Sequence, residues 1–225
     1  MHLVGDVNPS GHLPYTIARE TSDYDYAPLT NSSELLNTTD PYAWQSDFNE
    51  GVLLDYRHFD YYNLSVQYPF GYGLSYTTFA VGDVSVDVSS EGLTALPPAA
   101  ATAPGGNPHL WETVATISAT ITNTGAVAGN AVPQLYLALP SLSGTPSDFL
   151  EPKRILRGFS KEYLQPGQSC EVEFPILRRD VSSWDTTAQQ WRIPSGSISA
   201  HVGFSSRDLD AQASFDPLAG SPEGY

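Results

Sequence analysis

Ala115, Ile117, Ala119 and Ile121 alternate with Thr116, Ser118, Thr120 and Thr122. A period of two sends successive side chains to opposite faces, so this stretch is a strand with one face buried and one wet. The pattern recurs along the second part of the chain. Val84, Val86 and Val88 carry it, as do Leu135, Leu137 and Leu139. Cys170, Val172, Phe174 and Ile176 face one way and Glu171 and Glu173 the other, and Ile198, Ala200, Val202 and Phe204 form a fifth run. "RILRGF" (154–159) and "QQWRI" (189–193) are expected as a sixth and a seventh strand. Turn residues separate these runs at Asn123-Thr124-Gly125, Gln165-Pro166-Gly167 and Ser195-Gly196.

About seven short alternating strands with frequent turns point to a β-sandwich of the immunoglobulin or fibronectin type III kind over residues 80–225. Within it, "SSEGLTALPPAAATAPGGNP" (89–108) is rich in Pro, Ala and Gly and nearly uncharged. Such a stretch buries too little apolar surface to offset its ordering entropy, and a mobile insertion between the first two strands is expected there. Residues 1–79 read differently. They are irregular and rich in Tyr, Asp, Asn and Pro, with strand-like stretches only at "LPYTIA" and "GVLLDY" and a long polar loop over 21–47. Alone, this block lacks the apolar periodicity to build a core.

Charge narrows the functions. Twenty-five acidic residues stand against 10 basic ones, a net −15. With no basic stripe to neutralise phosphates, the composition argues against nucleic-acid partners and against anionic membrane surfaces. No apolar run approaches the ~20 residues of a membrane span. Cys170 is the only cysteine, which excludes an intrachain disulfide or a zinc knuckle. Its inward position makes it an inert core thiol rather than a nucleophile. Sequons occur at Asn31, Asn37 and Asn63, all candidates for glycosylation, whereas Asn8-Pro9-Ser10 is barred by its proline. The opening residues show no basic region followed by an apolar core. Sequons without such a leader lead to the expectation of a secreted protein whose true N-terminus lies upstream.

Candidate chemistry is sparse. Ser75 lies in Gly73-Leu74-Ser75-Tyr76-Thr77, where a nucleophile elbow needs glycine in place of Thr77. "GYGLSY" fails the dinucleotide fingerprint at Tyr76. His2, His12, His58, His109 and His201 are scattered without metal-ligand spacing. His58 and Asp60 would share a face if extended, as an acid–base pair or a structural hydrogen bond. Asp47, Glu50, Asp55 and Asp60 cluster, and glycoside hydrolysis uses two carboxylates, but Arg57 is an equally good ion-pair partner for any of them. Tyr68, Phe70, Tyr72, Tyr76 and Phe79 fall where the two blocks meet. They read as a sealed domain junction, turned by Gly71 and Gly73, with a sugar-stacking platform as the alternative.

The ordered motifs then carry a family likeness. "GDVNPSGHLPYTIA" (5–18), "SDFNEGVLLDYRHFD" (46–60) and "YPFGYGLSYTTF" (68–79) resemble the C-terminal stretches of fungal family 3 glycoside hydrolases, the β-glucosidases. "EPKRILRGFSKEYLQPGQSCEVEFPI" (151–176) and "DVSSWDTTAQQWRIPSGSISAHVGFSSRDL" (180–209) resemble their fibronectin type III-like domain. His12 stands where arginine is commoner in the family. The resemblance implies that 1–79 is the C-terminal remnant of an α/β sandwich domain and 80–225 the fibronectin-like domain, with a barrel domain missing. It further implies a retaining enzyme, without metal or cofactor, that removes terminal β-linked glucose from cellobiose and related oligosaccharides. Its two carboxylates would stand about 5–5.5 Å apart. The family nucleophile is an Asp on the barrel and the acid/base a Glu upstream of "NPSGHLPYT". No catalytic residue therefore carries over to this sequence, and the chain alone is expected to be an inactive scaffold. The alternative is a free-standing β-sandwich that binds polysaccharide or protein.

Overall fold

The computed structural model describes residues 5–24, 50–88, 93–142, 144 and 150–219. Its strands are β1 (Ile17–Ala18), β2 (Val66–Tyr68), β3 (Phe79–Val88), β4 (Thr113–Asn123), β5 (Gly129–Ala131), β6 (Gln134–Ala138), β7 (Ile155–Phe159), β8 (Glu162–Leu164), β9 (Ser169–Leu177), β10 (Ser183–Asp185), β11 (Gln190–Arg192), β12 (Ile198–Gly203) and β13 (Ala211–Phe215). The α-helix α1 (Tyr56–Tyr61) lies between β1 and β2.

Two antiparallel sheets make the sandwich, one ordered β3-β4-β9 and the other β13-β12-β6-β7. The alternating residues do what their period dictates. Ala115, Ile117, Ala119 and Ile121 of β4 are essentially inaccessible, and so are Ile176 of β9, Leu135 and Leu137 of β6, and Ile198, Ala200 and Val202 of β12. They form one continuous core with Val172, Phe174 and Leu164. Each buried Val, Leu, Ile or Phe among them contributes roughly 1.5–3 kcal/mol by leaving water. Cys170 packs against this core from the edge of β9, and burial pushes its thiol above the ordinary range. That agrees with an inert thiol.

The second sheet is covered on both faces, which alternation alone does not announce. On β6, Leu135 and Leu137 enter the sandwich core while Gln134 and Tyr136 point the other way, yet these too are buried. The N-terminal block covers them. Tyr56 of α1 meets the Tyr136 ring edge-on at 5.8 Å and the Phe70 ring at 4.8 Å. Its hydroxyl accepts a hydrogen bond from the backbone N–H of Leu156 in β7 at 2.9 Å. The molecule thus has three layers: sheet, sheet, and an irregular cap anchored by a short helix.

Three expectations about elements need correction. "QQWRI" does form β11, but β11 pairs with β10 as a separate hairpin outside both sheets. The seventh sandwich strand is β13, whose "AQASF" has too few bulky side chains to show a period. "GVLLDY" is not strand-like. It is a turn running into α1, because the Asp55 carboxylate caps the helix by accepting from the Tyr56 N–H at 2.6 Å. "LPYTIA" contributes only the two-residue β1, paired with β2.

Of the polar loop 21–47, Thr21–Asp23 form a 3-10 turn and residues 25–47 lie outside the described residues. Within 89–108, residues 93–108 are described and have definite attachments. Leu93 belongs to the core. Thr94 O accepts from Arg178 Nη1 at 2.8 Å, and Ala95 O from the Ile193 N–H at 2.9 Å.

Candidate functional site

The carboxylate cluster is the first candidate, and the fold takes it apart. Asp47 lies outside the described residues. Asp55 is spent on structure: besides capping α1, it accepts from the Thr16 N–H at 2.8 Å and the Thr16 hydroxyl at 2.9 Å. This ties β1 to the helix. Glu50 is half-buried, and its backbone carbonyl accepts from the Leu53 N–H. Asp60 is buried and pairs with Arg207, Nε to Oδ1 at 2.9 Å. Burial raises the Asp60 carboxyl above its ordinary range, the Arg207 hydrogen bond and charge opposing. Arg57, the expected partner, instead directs its Nε to Leu54 O at 3.4 Å, with its guanidinium near the Tyr56 ring.

The anticipated His58–Asp60 alignment fails for a geometric reason. These residues are helical, not extended, so positions two apart point to different sides of α1. His58 packs between the Phe59 and Tyr62 rings while Asp60 turns toward Arg207. Of the other histidines, His12 Nδ1 meets Gly71 O and His109 Nδ1 meets Glu112 Oε1 at 2.7 Å. Burial pushes His201 below its usual range, and the nearby Arg154 adds to this. His2 lies outside the described residues.

Ser75 is a turn residue. Its hydroxyl donates to Asn8 Oδ1 at 3.1 Å and accepts from the Thr77 N–H, and the same Asn8 oxygen accepts from the Tyr76 N–H at 2.7 Å. The aromatic stretch around it forms the seam between the two blocks. Tyr68 stacks on Tyr72, Phe70 on Tyr56, and Phe79 approaches Phe204. Leu74 and Tyr76 stay exposed.

The hub of the seam is Gln134, which the alternation rules passed over. Its Nε2 donates to Gly71 O at 3.0 Å and to Phe204 O at 2.9 Å, while its Oε1 accepts the Tyr136 hydroxyl at 2.7 Å. Gly71 has φ +77, and a Cβ there would lie 2.1 Å from Gln134 Oε1. Gly73 has a different reason to be glycine: the His12 ring occupies the space a Cβ would need. A second hub is Asn123, fully buried at the start of the turn after β4. Its Nδ2 donates to Val127 O and Leu164 O, and its Oδ1 accepts from the Thr77 hydroxyl and the Gly125 N–H.

Beside the seam lies a cleft of about 390 Å³. Trp184 and Trp191 of the β10–β11 hairpin line it, with Val52 and Arg57 of the N-terminal block and Glu151, Ile155 and Arg157 around β7. The two indoles stand directly opposite in register, ring centres 5.8 Å apart, and both are substantially exposed.

With this geometry the chain can be set beside known proteins. Residues 131–206 match the fibronectin type III-like domain. The probable beta-glucosidase G of Aspergillus terreus is 48% identical over 219 residues, 97% of this chain and 26% of that protein. The beta-D-glucoside glucohydrolase of Trichoderma reesei superposes with a TM-score of 0.81 at 41% identity, covering 96% of this chain and 27% of its own. A family 3 beta-glucosidase from Neurospora crassa gives 0.80 at 30%, covering 95% and 33%. Over nearly its whole length the chain is similar to one segment of fungal family 3 β-glucosidases. It spans about a quarter of the length of the curated relatives it matches. Of the sequons, Asn63 is exposed just past α1, where its Oδ1 accepts from Lys153 Nζ at 2.7 Å. Asn31 and Asn37 lie outside the described residues. No helix among the described residues is long and apolar enough to cross a membrane.

Proposed function

We propose that this chain is the scaffolding C-terminal part of a secreted β-glucosidase, which removes terminal non-reducing β-D-glucosyl residues from cellobiose and related oligosaccharides in cellulose breakdown. The observation that carries the reading is 48% identity across nearly the whole chain to a probable beta-glucosidase. Support comes from the carboxylates: Asp55 and Asp60 are both committed to holding the N-terminal block together and onto the sandwich. Residues 1–79 complete an α/β sandwich domain and residues 80–225 form the fibronectin-like domain that buttresses it. The partner of the assembled surface is the barrel domain, which carries the nucleophilic Asp, while the acid/base Glu comes from the part of the sandwich domain upstream of Asn8. Configuration is retained through a glycosyl-enzyme intermediate.

The test compares the 225-residue chain with the same chain joined to its upstream region, on a chromogenic β-glucoside. Turnover is expected only in the joined protein. Turnover by the short chain that vanishes on replacing one acidic residue of 46–60 would return catalysis to the cluster and overturn the scaffold reading. Secretion and glycosylation at Asn31, Asn37 and Asn63 predict a mobility shift on enzymatic deglycosylation of the exported enzyme, reduced stepwise by Asn→Gln at each site. The rival, a free-standing binding module, is separated by the coding sequence upstream of Met1. An in-frame barrel supports the enzyme and its absence supports the module.

A further inference from the structure

The β10–β11 hairpin adds no strand to either sheet, yet it is firmly braced. Asp185 Oδ1 accepts from the Thr187 and Ala188 N–H groups at 2.9 Å each, and Arg192 Nε lies 2.9 Å from Asp185 Oδ2. The product of this bracing is a fixed pair of indoles, Trp184 and Trp191, 46% and 40% exposed at the cleft. Leaving two large apolar side chains in water is unfavourable; the other tryptophan described, Trp111, is as exposed at 48% but is covered by a cation. Trp111 carries the Arg179 guanidinium 4.5 Å above its ring.

The remaining lining fixes the chemistry of an occupant. Two guanidiniums, Arg57 and Arg157, and two carboxylates, Glu151 and Asp185, border the cleft, so its formal charge is balanced on a chain of net −15. A polyanion gains nothing there, and a cation has no dominant partner. Preset aromatic faces, planar hydrogen-bonding groups of both signs and a volume within the usual range for small-ligand sites suit a neutral polyhydroxylated ring. Its C–H face stacks on indole while its hydroxyls both donate and accept.

We propose that this cleft is a binding site for a neutral oligosaccharide, held by Trp184 and Trp191. The choice of a glucan as first probe rests on the β-glucosidase reading. The site itself does not.

The experiment is calorimetric titration of the 225-residue chain with cellotriose and, separately, mannotriose. Binding is expected to weaken about tenfold or more in Trp184→Ala and Trp191→Ala, and to stay near wild type in Trp184→Phe and in the control Trp111→Ala. Circular dichroism melts confirm that each variant is folded. Binding of either sugar with this tryptophan dependence supports the site, and binding of mannotriose alone does so while counting against a β-glucoside role. Absence of saturable heat with both sugars on the folded chain overturns the proposal, as does affinity indifferent to both Ala substitutions. It falls equally if those substitutions leave sugar binding unchanged but lower the melting temperature of the upstream-joined enzyme more than that of the chain, because the cleft is then an internal interface.

Discussion

Two buried amides hold the seam, and their energetics differ from those of the aliphatic core. Asn123 satisfies all its side-chain valences, with Val127 O and Leu164 O on one side and the Thr77 hydroxyl and Gly125 N–H on the other. Asn123→Asp keeps the shape but removes both donors and sets a carboxylate against two carbonyls. Each buried carbonyl left unmatched costs about 1–3 kcal/mol. Urea unfolding should therefore show a larger loss for Asn123→Asp than for a surface change such as Glu171→Gln. Gly71→Ala is expected to be at least as damaging, because φ +77 disfavours any side chain and the Gln134 amide already fills the space. Gly73→Ala should cost less, since its φ is not left-handed, although the His12 ring and the Gly11 carbonyl must both give way. The glycines were legible in the sequence as a turn, but not their separate reasons. Gln134 was not legible at all, because a polar residue one step off an apolar period reads as solvent-facing. Only the cap, distant in sequence, makes it buried.

Helix α1 was hidden by a similar ambiguity, since "YRHFDY" is too short to display a 3.6 period and its cap residue Asp55 also reads as one more acid in a cluster. The long strands were legible because each has one consistently apolar face. β5, β8 and β13 were missed because two are three-residue strands and the third alternates alanine with small polar residues. The helix carries a pH-dependent contact. Burial is the largest influence on Asp60 and raises its carboxyl above the ordinary 3.8, with Arg207 pulling down. A carboxyl whose folded pKa exceeds its unfolded one holds its proton more tightly in the folded chain. Its contribution to stability is fully present below the unfolded pKa and is lost as pH rises through the folded one. The stability of the wild type relative to Asp60→Asn is therefore expected to decline as pH rises above about 4 and then level off. Urea unfolding of both proteins at stepped pH measures it. A relative stability that climbs with pH instead would show that the Arg207 pair outweighs burial.

At the scale of the molecule, the question is whether the cap and the sandwich open together. The sequence suggests a well-built sandwich beside an irregular block with no core of its own. The fold resolves the contrast by lending that block the outer face of the β13-β12-β6-β7 sheet. Tyr56 is buried there against Tyr136, Phe59 and Leu53 are buried as well, and Arg207 reaches Asp60 and Leu64 O from beyond β12. The cap amides close their own ladder, Gly71 N–H to Leu13 O at 2.9 Å and Leu13 N–H to Tyr72 O at 2.8 Å. Lifting the cap from Gln134 and Tyr136 would expose a buried amide and a buried phenol together. It should therefore cost a sizeable fraction of global unfolding. Native-state hydrogen exchange is expected to show β4, β6 and β12 slowest, with Leu13, Leu64 and Gly71 protected close behind. Where 93–108 attaches to the sandwich, the Ile193 amide bonded to Ala95 O should be slow, whereas the exposed run Ala99–Ala101 should exchange fast. If Leu13, Leu64 and Gly71 exchanged as fast as those alanines, the cap would be a loose adornment of the sandwich, and the third layer would owe its order to the upstream domains rather than to this sheet.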